Sequence, residues 1–481
     1  MKVLSVASEV YPVIKTGGLA DVVGALPKAL GRVGVEVRTL VPGYPAVLAA
    51  LERTTTVYQV VALFGGPARL LEGLAAGLDL LVIDAPHLYD RPGNPYTDGS
   101  GRDWPDNAQR FAALSAVADA IVHGAVPAFA PDIVHAHDWQ AGLAPAYLRL
   151  GTTTAVKSVA TIHNIAFQGQ YSADVFPSLG LPDSAFAIDG VEYFGGVSYL
   201  KAALQYADAI TTVSPTYADE ICGEEFGMGL QGLLQLRKAD LSGIINGIDT
   251  VVWDPETDPA LPARFDATRL EARSVNKRAV EERFGLAAGD GPLYCVISRL
   301  TWQKGMDLLL NVVDRLVASD ARLALLGSGD QGLEHAFREA ATRYPGRIGT
   351  VFGYDDALSH LMLGGADAIL VPSRFEPCGL TQLQAVRYGC IPVVSRVGGL
   401  ADTIIDANDA ALAAGSGNGV QFTPVTAAAL DLAIERTNRL FARRALWGAL
   451  QRSAMAADVS WQRSAIRYAE LFHSLLSAGS P

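Results

Sequence analysis

Runs of basic residues are missing from this sequence. Fifty acidic against 38 basic residues leave a net charge of −12, which sets nucleic acid aside as a partner. An acidic chain that handles a phosphorylated ligand must therefore gather positive charge locally. Cysteine is scarce too. Cys222, Cys295, Cys378 and Cys390 show no metal-ligand spacing, and Cys295 lies in an apolar, strand-like run; reduced thiols in a cytosolic protein are the simplest reading. No stretch approaches the ~20 apolar residues of a membrane span, and Glu9 interrupts any signal-peptide core behind Met1. These absences predict a soluble, cytoplasmic protein without a membrane partner. Walker and GxGxxG loops are lacking, as are the serine elbow GxSxG and a Cys/His signature, so those phosphate-binding and hydrolase mechanisms have no support. His135 and His137 share one strand face, but no third ligand has informative spacing, and no metal site is expected.

What is present is a large apolar content. Half of the 481 residues are hydrophobic and 18% are charged, which suits a well-buried globular chain too long for one ordinary core. In the first half, short apolar runs (Val3 to Ala7, Val35 to Val41, Leu80 to Ile83, Ile133 to Ala136, Val159 to Ile162, Ala209 to Val213) alternate with helical patterns at Leu19 to Val33, Asn107 to His123 and Gln140 to Leu150. Such alternation predicts βαβ units and a parallel sheet. Pro27 predicts a kink or break in the first helix. The Gly/Pro-rich connection from Tyr89 to Pro105 reads as a functional surface loop. The pattern stops near Asn246, and Trp253 to Asp266, crowded with proline and aspartate, reads as a linker. The alternation then resumes with runs at Leu293 to Ile297, Leu323 to Leu326, Ile348 to Phe352, Ala368 to Val371 and Pro392 to Ser395. Lys304 to Val317 carries Leu308, Leu309, Val312, Val313 and Leu316 on one stripe, as a single helix would. The expected architecture is two doubly wound α/β domains facing across a cleft, with residues 1–243 and 244–456 as the domains. Residues 457–481 form an amphipathic segment packing back on the first domain.

Several motifs sit where open α/β sheets bind ligands, at strand carboxyl ends leading into helices. Lys15-Thr16-Gly17-Gly18-Leu19 opens the first helix, its paired glycines allowing close backbone approach to an electron-rich group. By itself it could be an ordinary turn. Asp138 ends one strand, and His163-Asn164 another, placed to contact a polar ligand; a lone histidine is more often a satisfied structural one. Arg299 and Lys304 leave the first strand of the second half, where two cations could neutralise a departing diphosphate as a metal would. An isolated pair is more often solvated surface charge. Glu376 is fixed between Phe375 and Pro377, in a loop running to Cys378-Gly379-Leu380-Thr381 and a further helix.

With Lys15 to Leu19, His137-Asp138-Trp139, His163-Asn164, Asn246-Gly247-Ile248-Asp249, Arg299-Leu300, Lys304-Gly305 and Glu376 to Leu380 assembled, the chain resembles the bacterial glycogen synthase family, shared with plant starch synthases. The resemblance covers most of the chain. It implies a GT-B fold, two Rossmann-like domains with the active site in the cleft. It also implies transfer of glucose from ADP-glucose to the non-reducing end of an α-1,4-glucan, with retention and without a metal or other cofactor. By the same resemblance, Arg299 and Lys304 hold the diphosphate, assisted by backbone N–H groups at Leu380-Thr381, and Tyr354 stacks on adenine. Glu376, His163, Asn164, Cys378, Gly379 and Asn246 orient the glucosyl group. Lys15, Asp21, Gly17 and Gly18 border the nucleotide and sugar, and Asp138 lies near the reacting centre. One departure stands out: eight positions after Glu376, where many retaining GT-B enzymes carry a second glutamate, this chain has Gln384. A UDP-glucose synthase, a phosphorylase (for which no pyridoxal-phosphate lysine motif is found) and a non-catalytic glucan- or nucleotide-binding protein are the competing readings. Nothing in the chain specifies an oligomeric state.

Overall fold

A computed structural model describes residues 1–478. The chain forms two compact units: Met1–Asn246 together with the chain from Trp461 onward, and Gly247–Ser460.

The first unit is built on a nine-stranded sheet. Its strands are Lys2–Val6 (β1), Glu36–Pro42 (β2), Glu52–Leu63 (β3), Gly66–Ala75 (β4), Leu78–Asp84 (β5), Ile133–His137 (β6), Lys157–Ile162 (β7), Ala209–Thr212 and Leu241–Gly243. Between β7 and the last two come Gln170–Tyr171 (β8), Glu192–Tyr193 (β9) and Gly196–Ser198 (β10), a small antiparallel sheet; Ala209–Thr212 and Leu241–Gly243 are thus β11 and β12. The order is β12-β11-β7-β6-β1-β2-β5-β4-β3, parallel from β12 to β5 and antiparallel from β5 to β3. The central strands are short runs of Val, Leu, Ile and Ala buried on both faces, the pattern of parallel strands covered by helices. From β1 the chain moves outward through β2, and from β6 it moves outward the other way. The topological switch point lies between β1 and β6, the place where open α/β sheets bind ligands.

The helix Gly18–Gly31 runs uninterrupted through Pro27, so no break occurs there. Pro27 costs the helix one N–H, while Val22, Val23, Leu26 and Leu30 around it are all buried and hold it in place. The helix Gln462–Ala478 buries Ala465, Tyr468 and Phe472 against Val22, Leu26 and Leu30 of that first helix. The connection after Tyr89 is anchored rather than free. The Asn107 side chain donates to Tyr96 O at 2.9 Å, and Arg110 donates to Pro95 O at 2.9 Å.

The second unit holds Leu293–Ile297 (β13), Arg322–Gly327 (β14), Ile348–Phe352 (β15), Ala368–Val371 (β16), Ile391–Ser395 (β17) and Val420–Phe422 (β18). They form one parallel sheet of order β15-β14-β13-β16-β17-β18, with its switch point between β13 and β16. Two expectations fail here. The stripe after Lys304 forms two short helices, Met306–Leu310 and Val313–Ala318, because Gly305 sits at φ +67° and the chain turns again at Asn311-Val312. Trp253 to Asp266 is not a linker. Trp253 stacks on His360 with ring centroids 3.7 Å apart, His360 Nδ1 meets Asp258 at 2.7 Å, and Leu261 and Phe265 enter the core. The aspartates that suggested a solvated linker are turn formers and a buried histidine partner.

Candidate active site

At the switch point of the first unit, the loops after β1, β6 and β7 bring their polar residues to one sheet edge. Glu9, buried, takes the N–H of Thr16 and Gly17 (3.3 Å for Gly17) and the Thr16 hydroxyl at 2.6 Å, and the Tyr96 hydroxyl donates to it as well. Glu9 thus fixes the Thr16-Gly17 turn that leads into the first helix. Lys15 Nζ stands 2.8 Å from Asp21 and over the Tyr11 ring. Gly17 is extended and Gly18 is the first helical residue.

Asp138 ends β6 with φ +55°, a backbone region that a non-glycine residue occupies at a cost of about 1–3 kcal/mol. Its N–H donates to Thr161 O at 2.9 Å, and its Oδ1 accepts from the N–H of His163 at 2.7 Å and of Asn164 at 3.4 Å. Burial outweighs these donors and pushes the carboxyl up to about 7. His163 Nε2 lies 3.0 Å from His137 Nδ1, and His137 Nε2 lies 3.2 Å from the Ser5 hydroxyl; His135 Nε2 meets the Thr161 hydroxyl at 2.6 Å. Burial holds His135 and His163 down to about 3 and His137 well below the usual imidazole range. All three rings are neutral at pH 7. Each then carries a single ring proton, so the direction of the Ser5 hydrogen bond fixes the tautomers of both His137 and His163.

At the switch point of the second unit the loops after β13 and β16 are tied together. The Arg374 guanidinium is bidentate on Asp307 at 2.7 Å for each pair and also donates to Trp302 O at 2.6 Å. The Arg374 N–H donates to Gln303 O at 2.8 Å, and the Gln303 side chain to Phe375 O at 3.3 Å. Within this clamp Lys304 Nζ reaches Glu376 at 2.5 Å, and the Ser373 hydroxyl donates to the same carboxylate oxygen at 2.9 Å. Glu376 is buried, whereas the Arg299 side chain is exposed and has no hydrogen bond or ion pair among the described residues. Cys378 is buried, Gly379 adopts φ +75°, and Leu380 leads into the helix Thr381–Arg387. The Gln382 side chain braces this turn by donating to Cys378 O and Gly379 O at 3.0 and 2.8 Å. Tyr354 is exposed after Gly353, its hydroxyl 2.8 Å from Asp356.

Two family models match in tandem: the starch synthase catalytic domain over residues 2–236 and glycosyl transferases group 1 over residues 278–438. Over 477 residues the chain is 59% identical to the glycogen synthase of Mesorhizobium japonicum, with 99% of each chain covered. The chain belongs to the glycogen and starch synthase family. It is also 58% identical over 480 residues to glycogen synthase 1 of Rhizobium meliloti, with both chains fully covered. Among solved structures it aligns with the catalytic domain of starch synthase IV from Arabidopsis thaliana, bound to ADP and acarbose, at TM-score 0.90 and 32% identity over 99% of both chains. The two units are thus the Rossmann-like domains of a GT-B glucosyltransferase.

Of the residues expected to serve this glycogen synthase fold, Asp138, His163 and Asn164 are joined directly, as are Lys15 with Asp21 and Lys304 with Glu376. Asn246 closes the first stretch of the first unit, its buried Oδ1 without a hydrogen-bond partner among the described residues. Sequence reading missed Glu9, Ser5, Asp307 and Arg374, whose partners are remote in the chain or are backbone groups, and Ser373, whose hydroxyl reaches Glu376 three positions on. No cluster of three or more metal-ligating side chains occurs among the described residues. Gly305, beside Lys304, allows a direct test of the clamp. At φ +67° a Cβ there would stand 2.0 Å from Pro372 O. Gly305→Ala is expected to cost about 2–4 kcal/mol of stability, read as a lower urea midpoint, by combining left-handed strain with overpacking. An unchanged midpoint would refute the tight contact.

Proposed function

We propose that the chain is a glycogen synthase that transfers glucose from ADP-glucose to the non-reducing end of an α-1,4-glucan, retaining the anomeric configuration and releasing ADP. The observation that carries this reading is the Lys304–Glu376 pair held at a sheet switch point, in a chain 59% identical along its length to a glycogen synthase. Arg299 and Lys304 meet the diphosphate and stabilise the charge that gathers on it as the glycosidic C1–O bond breaks, the task a metal performs elsewhere. The acceptor 4-hydroxyl attacks C1 on the face the phosphate leaves. Its proton passes to the departing phosphate oxygen, so charge and protons balance without a base or cofactor from the protein. Glu376 suits this route better than a covalent one. Its carboxylate is engaged by Lys304 and Ser373, and the later position that would offer a second carboxylate is Gln384. Tyr354 stacks on adenine, and backbone N–H groups at Leu380-Thr381 assist the phosphates. His163, Asn164, Asn246, Cys378 and Gly379 orient the sugar. Lys15, Asp21, Gly17 and Gly18 border the nucleotide sugar, and Asp138 positions the His163 loop beside the reacting carbon.

The test incubates the purified protein with glycogen, EDTA and labelled ADP-glucose or UDP-glucose. Incorporation into polymer from ADP-glucose, at least tenfold above UDP-glucose, is the expected result. Incorporation from UDP-glucose alone would overturn the donor assignment, and none from either donor would overturn the enzyme assignment. Transfer abolished by EDTA would overturn metal independence.

A further inference from the structure

Ser5, His137 and His163 form a line of hydrogen bonds across three neighbouring strands. Ser5 lies on β1, His137 ends β6, and His163 follows β7. The Ser5 hydroxyl is 3.2 Å from His137 Nε2, and His137 Nδ1 is 3.0 Å from His163 Nε2. Ser5 and His137 are 3% and 1% exposed, so neither can meet a ligand. His163 is half-buried, and its Nδ1 has no hydrogen-bond partner among the described residues. The line therefore has a closed end inside the sheet and an open end at the loop read above as orienting the sugar. Its backbone is fixed as well. Asp138 N–H donates to Thr161 O at 2.9 Å, and Asp138 Oδ1 accepts from His163 N–H at 2.7 Å.

The closed end decides the direction of the line. Ser5 Oγ has no partner but His137 Nε2 among the described residues. The cavity beside it measures about 10 Å³ and is walled mainly by Val3, Val23, Leu26 and Leu30, at or below the roughly 10–15 Å³ that one water needs. If Ser5 accepted from His137, its own proton would be buried without an acceptor, whereas a donating hydroxyl leaves only a lone pair unused. Ser5 therefore donates to Nε2. Neutral His137 then carries its proton on Nδ1 and donates to His163 Nε2, which leaves the His163 proton on Nδ1. We propose that Ser5 and His137 are positioning residues for glucosyl transfer, holding His163 in the tautomer whose Nδ1–H donates to a hydroxyl oxygen of the bound sugar. This rests on the reading of His163 given above. A ring held in one tautomer is already arranged when the sugar arrives. A ring free to exchange tautomers would face the same oxygen with a lone pair for part of the time.

The experiment reads the tautomers directly. In the full chain with isotopically labelled histidine, long-range proton–nitrogen NMR correlations at neutral pH distinguish the two ring nitrogens, and His137→Gln and His163→Gln assign the signals. Without any ligand, both rings are expected as the Nδ1–H tautomer. Ser5→Ala is expected to turn the His163 signal into a tautomer mixture and to lower kcat/KM for ADP-glucose about tenfold, the equivalent of one hydrogen bond. Its affinity for ADP, which lacks the glucosyl group, and its KM for glycogen should match wild type. Ser5→Thr, which keeps the hydroxyl, should restore both the single tautomer and the turnover. Either ring protonated on Nε2 in wild type overturns the proposal, as does an unchanged kcat/KM in Ser5→Ala. A Ser5→Thr variant as slow as Ser5→Ala but with wild-type tautomers would assign the loss to packing and equally overturn it. Weakened ADP binding in Ser5→Ala would mean a general distortion of the site, with the same consequence. Should Ser5→Ala not fold, the wild-type spectrum still decides. Because the spectrum needs no turnover, a wild type that shows both Nδ1–H rings but transfers nothing would sink the enzyme reading alone.

Discussion

Arg299→Ala is expected to lower kcat about 10²–10³-fold, the loss typical of removing one preorganised donor to a developing anion, while leaving the unfolding midpoint almost unmoved. The side chain is exposed and makes no hydrogen bond or ion pair with any described residue, and surface substitutions of that kind fall within about 0.5 kcal/mol. Lys304→Ala should lose turnover to a similar degree and lose stability as well. Glu376 is only 5% exposed and faces Lys304 Nζ at 2.5 Å. Truncating one partner of a buried pair typically costs about 3–5 kcal/mol; the 19% exposure of the Lys304 side chain and the remaining Ser373 hydroxyl place this case at or below the lower end. Turnover is measured at saturating donor and glycogen, and stability by urea unfolding of the same preparations. Near-normal kcat in both variants would remove these cations from the leaving group. Equal losses of stability in the two would mean that Arg299 is part of a structural network rather than held free for a ligand.

The contrast between those two cations was not legible in the sequence, although their location was. Parallel strands buried on both faces read as compact apolar runs, so their carboxyl ends, and with them Asp138, His163, Arg299 and Glu376, could be placed before any geometry was known. Other features stayed hidden for identifiable reasons. The strands β3 and β4 form the antiparallel edge of the first sheet, and β3 is largely exposed and rich in threonine, so no buried run marks it. The break after Leu310 is invisible because Leu308, Leu309, Val312, Val313 and Leu316 are buried on both sides of it, keeping a helical stripe across two helices. Glu9 with Tyr96, His137 with His163, and Asp307 with Arg374 join residues 87, 26 and 67 positions apart. Local pattern carries no information about such pairs. The small changes that turn a strand end into a site are of this long-range kind: a carboxylate bound by the Tyr96 hydroxyl, and a lysine already holding its glutamate.

Acidification should destabilise the first unit well above the range where carboxylates titrate. His135 and His163 are held down to about 3 by burial, and His137 lies well below its usual range for the same reason. In the unfolded chain each would titrate near ~6.5. Below pH 6.5 the unfolded state therefore binds protons that the folded state refuses, and stability falls by about 1.4 kcal/mol per pH unit for each such histidine, down to the folded value. Asp138 acts in the opposite sense. Its carboxyl is raised to about 7 against ~3.9 unfolded, so it adds stability on acidification between those values, and one carboxyl offsets about one of three imidazoles. The net expectation is a steep loss between pH 6.5 and 4, read as a falling urea midpoint. His135→Asn should flatten that slope, because asparagine brings no proton-binding site to the unfolded chain. A wild-type midpoint constant from pH 7 to 5 would refute the buried neutral cluster. Activity offers a separate reading. Asp138→Asn keeps an oxygen able to accept from the His163 N–H but cannot ionise, so an inflection of kcat/KM near pH 7 in the wild type should vanish in this variant. If the inflection persists, Asp138 is not the group that titrates there, and its place beside the reacting carbon must be given up.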